Sequence, residues 1–163
     1  MRNVRQVRRL NALVFAAAWA LQCAAAAGSS CALIVLRGDG VVLRMDAELA
    51  VSQAARATGF MGRTGLPSGT GMLFDFGIEQ PVAMWMKDTL LPLDMWFIAA
   101  DGRVVQIESD ASPLSTALIR ARRPVRYVLE INAGESAMIG AELPLQLVLS
   151  SVEACLAMRV PPK

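Results

Sequence analysis

Histidine is absent from the sequence of 163 residues. Without it, the Ser-His-Asp and Cys-His arrangements of nucleophilic enzymes cannot form, and ordinary zinc catalysis loses its usual ligand. The glycine-rich stretch GRTGLPSGTG has neither the lysine of a phosphate-binding loop nor a strand-to-helix context. These absences exclude the commonest nucleophilic, zinc-dependent and phosphate-cradling sites, and we predict no cofactor and no metal site.

Methionine does not change that prediction. Several methionines lie in segments that face different directions, and such residues are more simply core side chains than thioether ligands. They are Met61, Met72, Met84, Met86 and Met95.

Cysteine is scarce, and no C-x-x-C redox pair is present. Cys23 lies in an N-terminal segment with the features of a leader, which leaves Cys31 and Cys155 as an even pair. An oxidising compartment allows such a pair to bridge, and the ends of a compact domain often lie close together. We expect a structural disulfide between Cys31 and Cys155, with two unpaired thiols as the alternative.

Acidic residues are missing from residues 1–27, where four arginines precede the apolar run LNALVFAAAWALQCAAAA. A basic start, an apolar run and small residues before GSS are typical of a secretory signal, with cleavage after Ala27. We therefore expect a signal peptide over residues 1–27, one domain over 28–163, and a periplasmic or extracellular location. An uncleaved leader that tethers the chain to the membrane is one alternative, and lipidation at Cys23 is another.

Long apolar runs are missing beyond this leader, so no membrane span is expected after its removal, although 55% of the residues are hydrophobic. Removing the four leader arginines leaves 12 basic and 14 acidic residues, a formal charge of −2. The remaining basic cluster is most simply a solvated loop, and we expect no nucleic-acid partner. It consists of Arg120, Arg122, Arg123 and Arg126. The oligomeric state stays open.

Apolar runs of strand length dominate the rest of the chain. A hairpin with a turn at Gly38-Asp39-Gly40 is followed by a helix over 52–61, capped by Ser52 and stopped by Gly62. A second short helix is expected near Gly134, and residues 110–125 form a long surface connection. Further strands are expected at 72–76, 82–88, 93–100, 103–109, 127–131 and 145–152. This pattern predicts an α+β fold: a single β-rich domain with a strongly curved or barrel-like mixed sheet and two short helices.

The stretch WMKDTLLPLDMWFI, from Trp85 to Ile98, concentrates the unusual chemistry. Trp85 and Lys87, at i and i+2, share a strand face and form a platform for an anionic or ring-shaped ligand; the alternative is a solvated, outward lysine. Asp88 and Asp94 flank the turn TLLP, where they either cap its amides or form a carboxylate pair beside Lys87. Trp96 and Phe97 cannot share a face of a regular strand, so we expect one in the core and one at the periphery.

Two polar residues alternate in YVLEIN and therefore share a face: Glu130 and Asn132. Asn132 either caps the following helix or, with Glu130 and free helix amides, lines a pocket that includes Lys87. Arg63 is a further candidate for the same opening.

Five motifs occur in a fixed order: RATGFMGR with LP, GMLFDF, WMKDTLLPLD with FI, DGRVV, and YVLEINAG. Over about residues 41–149 the chain resembles the family called domain of unknown function 192. The resemblance implies a compact β-rich fold, frequently behind a signal sequence, and no established activity. Asp88 stands where the family usually has Asn, which adds a charge beside Lys87. The connection over 110–125 lacks the cysteines that some members carry.

Three classes of function remain. The leading hypothesis is a non-catalytic, exported binding or envelope-associated module that contacts a small molecule, a glycan or an envelope protein through Trp85, Lys87 and Glu130. A hydrolase without histidine would need at least two of its carboxylates in one cleft, and Asp88, Asp94 and Glu130 are the candidates. A purely structural interaction protein would bury Trp85 and simply expose Lys87.

Overall fold

The strand-length apolar runs assemble into a mixed sheet in the computed structural model, which describes residues 30–37 and 40–158. The predicted signal peptide, Cys23 and the turn residues Gly38 and Asp39 lie outside the described residues. Within them, the strands are β1 Ser30–Arg37, β2 Gly40–Ala50, β3 Thr70–Gln80, β4 Ala83–Met84, β5 Leu93–Ile98, β6 Val104–Ala111, β7 Ile119–Arg120, β8 Val125–Asn132 and β9 Gln146–Leu147. The helices are α1 Gln53–Thr58, α2 Glu135–Met138 and α3 Leu149–Met158.

Seven of these strands form one sheet in the order β6-β5-β8-β3-β2-β1-β9, and β4 pairs with β7 in a separate two-stranded sheet. All neighbours in the large sheet are antiparallel except β2 and β3, which are parallel. A parallel pair needs a crossover connection, and α1 with the loop that follows it provides this connection. The prediction of a β-rich mixed sheet is confirmed, and so is the opening β1–β2 hairpin.

One bridge, between Arg103 and Gln146, joins the start of β6 to β9 at the far end of the strand order. The N–H of Leu147 also donates to the carbonyl of Gly102 at 2.8 Å. These contacts do not form a continuous ladder, so the barrel-like part of the expectation stays a prediction.

The central strands β5 and β8 are covered on both faces. Trp96 pairs with Leu129 and packs into one apolar cluster, whereas the next pair, Phe97 and Val128, packs into another. Both Trp96 and Phe97 are fully buried, so the expectation that one of them is peripheral was wrong. A strand with apolar neighbours above and below needs a continuous apolar run, which is the pattern of LDMWFI.

Helix α1 begins as predicted, because the Ser52 hydroxyl accepts the N–H of Ala55 at 3.1 Å. The predicted stop at Gly62 was wrong. The helix ends at Thr58, since Gly59 adopts a φ of 47° and donates its N–H to the carbonyl of Ala55. Glycine tolerates this positive φ without the steric cost that a side chain adds.

The expected closing strand over 145–152 was also wrong beyond its first residues, because β9 contains only Gln146 and Leu147 and α3 follows. Leu149, Val152 and Leu156 recur at helical spacing and turn toward the sheet core. This third helix, absent from the prediction, carries Cys155.

The predicted disulfide is present: Cys31 on β1 is bonded to Cys155 on α3, with their Cα atoms 5.8 Å apart. It fastens the last helix to the first strand, and both cysteines are buried in the same apolar cluster.

Replacing Cys31 and Cys155 together with serine removes a cross-link that spans 124 residues of sequence. In the chain-entropy model this lowers the free energy of unfolding by up to about 4 to 5 kcal/mol. Urea unfolding of both proteins measures the difference. The intact mass of the wild type should rise by two hydrogens on reduction, and free thiols in the purified wild-type protein would contradict the assignment.

Candidate functional site

Glu130 is a nearly fully buried acid at the centre of the sheet. It lies on β8 between Met72 of β3 and Met95 of β5, and its side chain is 4% exposed. No described residue forms an ion pair or a side-chain hydrogen bond with its carboxyl group. Burial raises the pKa of Glu130 from 4.5 to about 8, because the charged form loses its hydration without gaining a partner. At neutral pH this carboxyl group is therefore mostly protonated and can donate a hydrogen bond.

A cavity of about 30 Å³ adjoins Glu130, which is room for about one water molecule. We call it the Glu130 pocket. Its walls come from the end of α1 and the loop after it, from β3, and from the segment that follows β4. The residues that line it besides Glu130 are Arg56, Ala57, Thr58, Gly59, Phe60, Met61, Phe74, Met84, Trp85 and Thr89. Phe60, Phe74 and Met84 are buried, whereas Trp85 is 45% exposed, so the pocket has mainly apolar walls, one arginine and an aromatic side chain open to solvent.

Trp85 and Lys87 lie in an extended segment whose side chains alternate between buried and exposed. The ammonium nitrogen of Lys87 is 5.6 Å from the centroid of the Trp85 ring, within range of a cation–π contact. Strand β4 ends at Met84, so the expected strand over 82–88 was too long, but the two side chains still face the same way. The half-exposed Trp85 disagrees with the buried ring of a purely structural protein.

Asp88 is 3.6 Å from Lys87 in an exposed ion pair, and its backbone is left-handed with a φ of 56°. Asn and Asp adopt this conformation more readily than other residues that carry a side chain. The carbonyl of Asp88 accepts the N–H of Gly62 at 2.8 Å, which ties this turn to the loop after α1. The backbone therefore accounts for an Asn or Asp at position 88.

Asp94 is fully buried on β5, and its carboxylate accepts three backbone N–H groups. These belong to Asp110 at 2.9 Å, Gly134 at 3.1 Å and Ser136 at 3.0 Å. Asp94 pairs with Ile131, so it lies on the face opposite to that of Glu130, which pairs with Met95. The structure therefore does not bring Asp94 into the Glu130 pocket, and a catalytic pair of these two carboxyl groups is excluded.

Asn132 shares the face of Glu130 but does not line its pocket. Its side-chain amide donates to the carbonyl of Leu66 at 3.2 Å and to the carboxylate of Glu135 at 3.2 Å. The carboxylate of Asp94 accepts the N–H groups at the start of α2, so the expectation that Asn132 caps this helix was wrong. Asn132 instead fastens the loop before β3 to β8.

Arg63 forms a bidentate ion pair with Glu48, with N···O distances of 2.5 and 2.8 Å, and lies 5.0 Å from the Phe60 ring centroid. It lines a neighbouring groove of about 390 Å³, which shares Thr58 and Gly59 with the Glu130 pocket. Arg63 is thus near the predicted opening but not within it.

The Glu130 pocket joins Trp85 and Glu130, two of the predicted site residues, but Lys87 does not line it, and the sequence did not indicate Phe60, Phe74 or Thr89. Their apolar or small side chains look like ordinary core residues. The available signal was their presence in the ordered motifs RATGFMGR, GMLFDF and WMKDTLLPLD.

Asp94→Asn should lower the free energy of unfolding by about 1 to 3 kcal/mol, because an amide cannot accept all three N–H groups as a carboxylate does. Asp88→Asn is the matched control, since Asn tolerates its left-handed backbone and the side chain is exposed. Urea unfolding compares the two. Equal losses of stability in the two variants would show that the three hydrogen bonds to Asp94 contribute no more than an exposed carboxylate does.

Glu130 gives a second prediction, on the dependence of stability on pH. The unfolded carboxyl group titrates near 4.5 and the folded one near 8, so between these values the folded protein holds the extra proton. The contribution of Glu130 to the stability of the wild type should therefore be greatest below pH 4.5 and fall as the pH rises toward 8, by at most about 1.4 kcal/mol per pH unit.

Glu130→Gln removes this titration, so the variant should match the wild type near pH 4.5 and become increasingly more stable than it up to pH 8. Urea unfolding at several pH values measures the gap, with the exposed Glu153→Gln as control. A gap that stays constant over this range would mean that Glu130 titrates normally.

Comparison with known proteins places this site in a family context. The family DUF192, described as "Uncharacterized ACR", matches residues 34–144. No curated protein matches the sequence. A solved structure from Sinorhizobium meliloti 1021, of a protein described as a proposed transcription regulator, is 42% identical. The match covers 74% of this chain and 93% of the Sinorhizobium chain, with a TM-score of 0.71.

The solved structure of a protein of unknown function from Novosphingobium aromaticivorans DSM 12444 is 32% identical in sequence. This match covers 73% of this chain and 84% of the Novosphingobium chain, with a TM-score of 0.69. The family match spans more than half of the sequence, and both structures extend the similarity to the fold. The chain therefore belongs to the DUF192 family.

Proposed function

We propose that this protein is an exported, non-catalytic binding module whose Glu130 pocket takes a small neutral ligand with a ring, such as a sugar unit of a glycan. The observation that carries the proposal is the nearly buried, protonated carboxyl group of Glu130, which borders the cavity beside a half-exposed tryptophan and has no hydrogen-bond partner among the described residues. A buried polar group without a partner costs free energy, and a bound ligand would recover part of it.

The size and the walls of the pocket define the ligand. A cavity of about 30 Å³ admits a single oxygen atom and its nearest neighbours, not a whole sugar ring. A hydroxyl or carbonyl oxygen would enter and accept the proton of Glu130. The rest of the ring would stack on the exposed face of Trp85, as apolar faces of ring compounds do on indole.

Export is supported by the basic and apolar leader, and a disulfide between Cys31 and Cys155 fits an oxidising compartment. Among the described residues, no helix is long and apolar enough to cross a membrane. We propose a periplasmic or extracellular protein, with a tether through an uncleaved leader as the alternative.

A hydrolase is a weaker proposal. Hydrolysis of a glycosidic bond by carboxyl groups requires two of them on either side of the bond. Asp94 faces away from Glu130, and Asp88 is paired with Lys87 at the surface. Neither of the other two candidate carboxyl groups is therefore placed to share acid and base roles with Glu130.

The description of the Sinorhizobium protein as a transcription regulator concerns that protein. For this chain, 12 basic and 14 acidic residues beyond the leader offer no general excess of positive charge for neutralising phosphates. We therefore favour a glycan-like ligand over DNA.

The binding proposal is tested by following tryptophan fluorescence while titrating mono- and disaccharides into the leader-free protein. Of its two tryptophans, Trp96 is buried and Trp85 is half-exposed, so a bound ring should change the emission of Trp85. Trp85→Ala should weaken binding at least about tenfold, measured by calorimetry. Leu90→Ala, an exposed apolar change in the same segment, is the control.

Because Glu130 must be protonated to donate to the ligand, binding should depend on pH, which stacking on Trp85 alone would not cause. Wild-type affinity should fall as the pH rises through about 8, because the carboxyl group then loses the proton it donates. Glu130→Gln keeps a donor and should bind with no such pH dependence. Binding that is equally strong in Trp85→Ala, or no saturable binding of any sugar tested, would overturn the proposal.

A further inference from the structure

A second, larger cavity lies away from the Glu130 pocket and shares no residue with it. It has a volume of about 500 Å³, within the range of small-molecule sites. We call it the arginine pocket. Three arginines line it together with apolar side chains, and none of its lining residues is acidic. The residues that matter below are Arg103, Arg122, Arg123, Leu143 and Leu145.

The structure separates the four arginines that cluster in the sequence between 120 and 126. Arg126 forms a bidentate ion pair with the buried Asp75 and has a structural role. Arg122 and Arg123 both line the cavity, and neither side chain has an ion pair or hydrogen bond within the described residues. These two guanidinium groups thus differ from their neighbour in lacking an internal partner.

A buried glutamine fixes the backbone that carries them. The side-chain oxygen of Gln106 accepts the N–H of Arg122 at 2.9 Å, and its amide nitrogen donates to the carbonyl of Arg120 at 3.4 Å. The N–H of Ala121, between them, donates to the carbonyl of Val82 at 2.9 Å. The short segment is therefore held at three consecutive residues, which reduces the ordering cost of binding a ligand through its arginines.

The part of the cavity formed by Arg103 and the segment before β9 is also held by hydrogen bonds. The Nε atom of Arg103 donates a hydrogen bond to the carboxylate of Asp101 at 2.7 Å. This bond orients the guanidinium group and leaves its terminal nitrogens as donors. The N–H of Val104 donates to the carbonyl of Leu145 at 2.9 Å, so this wall is continuous with the segment before β9. Leu143, in that segment, is 48% exposed.

We infer that the arginine pocket is a binding site for a small organic anion that joins a phosphate or carboxylate group to an apolar part. Arg122 and Arg123 would bind the oxyanion through planar, charge-assisted hydrogen bonds, and Arg103 would add positive potential. Leu143 would contact the apolar part. Guanidinium groups next to exposed leucine suit an amphiphilic anion better than a fully hydrated ion.

Calorimetry on the leader-free protein tests this inference with dodecyl phosphate, used below its critical micelle concentration, and with inorganic phosphate. We expect saturable binding of dodecyl phosphate that weakens with added salt, and weaker binding of inorganic phosphate. Arg122→Gln and Arg123→Gln should each reduce the affinity for dodecyl phosphate at least about fivefold, as loss of a charged hydrogen bond implies. Leu143→Ser should weaken the binding of dodecyl phosphate and leave the binding of inorganic phosphate unchanged.

Arg44→Gln is the matched control, because it removes the same charge from an exposed position outside this cavity. An equal loss in Arg44→Gln would show a general charge effect and overturn the site. Binding to phosphatidylglycerol vesicles without binding of monomeric dodecyl phosphate would assign the arginines to a membrane surface instead. Arginine-dependent binding of duplex DNA without dodecyl phosphate binding would assign them to nucleic acid, and either result overturns the inference.

Discussion

Burial of strands β5 and β8 on both faces of the sheet is the constraint on which the rest of the structure depends. Successive side chains of a strand point to opposite faces, so a polar residue on either strand must enter one of two apolar clusters. Asp94 enters one and Glu130 enters the other. Each carboxyl group meets the cost of burial in a different way.

Asp94 is compensated by hydrogen bonds, since three backbone N–H groups surround its carboxylate and join β5 to α2 and to the end of β6. Glu130 has no such donors and holds its proton instead. A buried polar group that the fold does not satisfy lowers stability, and natural sequences retain such positions mainly at functional sites. This contrast supports Glu130, and not Asp94, as the centre of the proposed binding site.

Local patterns were sufficient to predict much of the fold. The β1–β2 hairpin, the Ser52 cap and the apolar runs of β5 and β8 depend on residues close together in sequence, and all were predicted. The Cys31–Cys155 disulfide was predictable because only two cysteines remain beyond the leader. The helix α3 was missed because the apolar start of LQLVLSSV is typical of a strand. The helical spacing becomes visible only when Leu149 and Val152 are considered together with Leu156, beyond that stretch.

The site was less predictable, because its walls come from segments far apart in sequence. Alternation placed Trp85 and Lys87 on one face of a strand, and a pocket that joins Glu130 to Lys87 was one of two alternatives drawn from the alternation in YVLEIN. Nothing local indicates that Phe60 and Phe74 meet at the same cavity, or that Asp94 turns away from it. That last point depends on the pairing of β5 with β8, and a shift of one residue would reverse both faces.

The charges around Trp85 narrow the class of ligand further. The Trp85–Lys87 platform is suited, in isolation, to an anion or to a ring. Asp88 lies 3.6 Å from the lysine and offsets its charge, although an exposed pair of this kind contributes little stability. The carboxyl group of Glu130 is neutral below about pH 8 and adds no charge to the opening, and Arg56, which also lines the pocket, donates to the carbonyls of Val51 and Asp75. The proposed uncharged ring matches the neutral carboxyl group, whereas the unpaired guanidinium groups of Arg122 and Arg123 provide the chemistry that an anion requires.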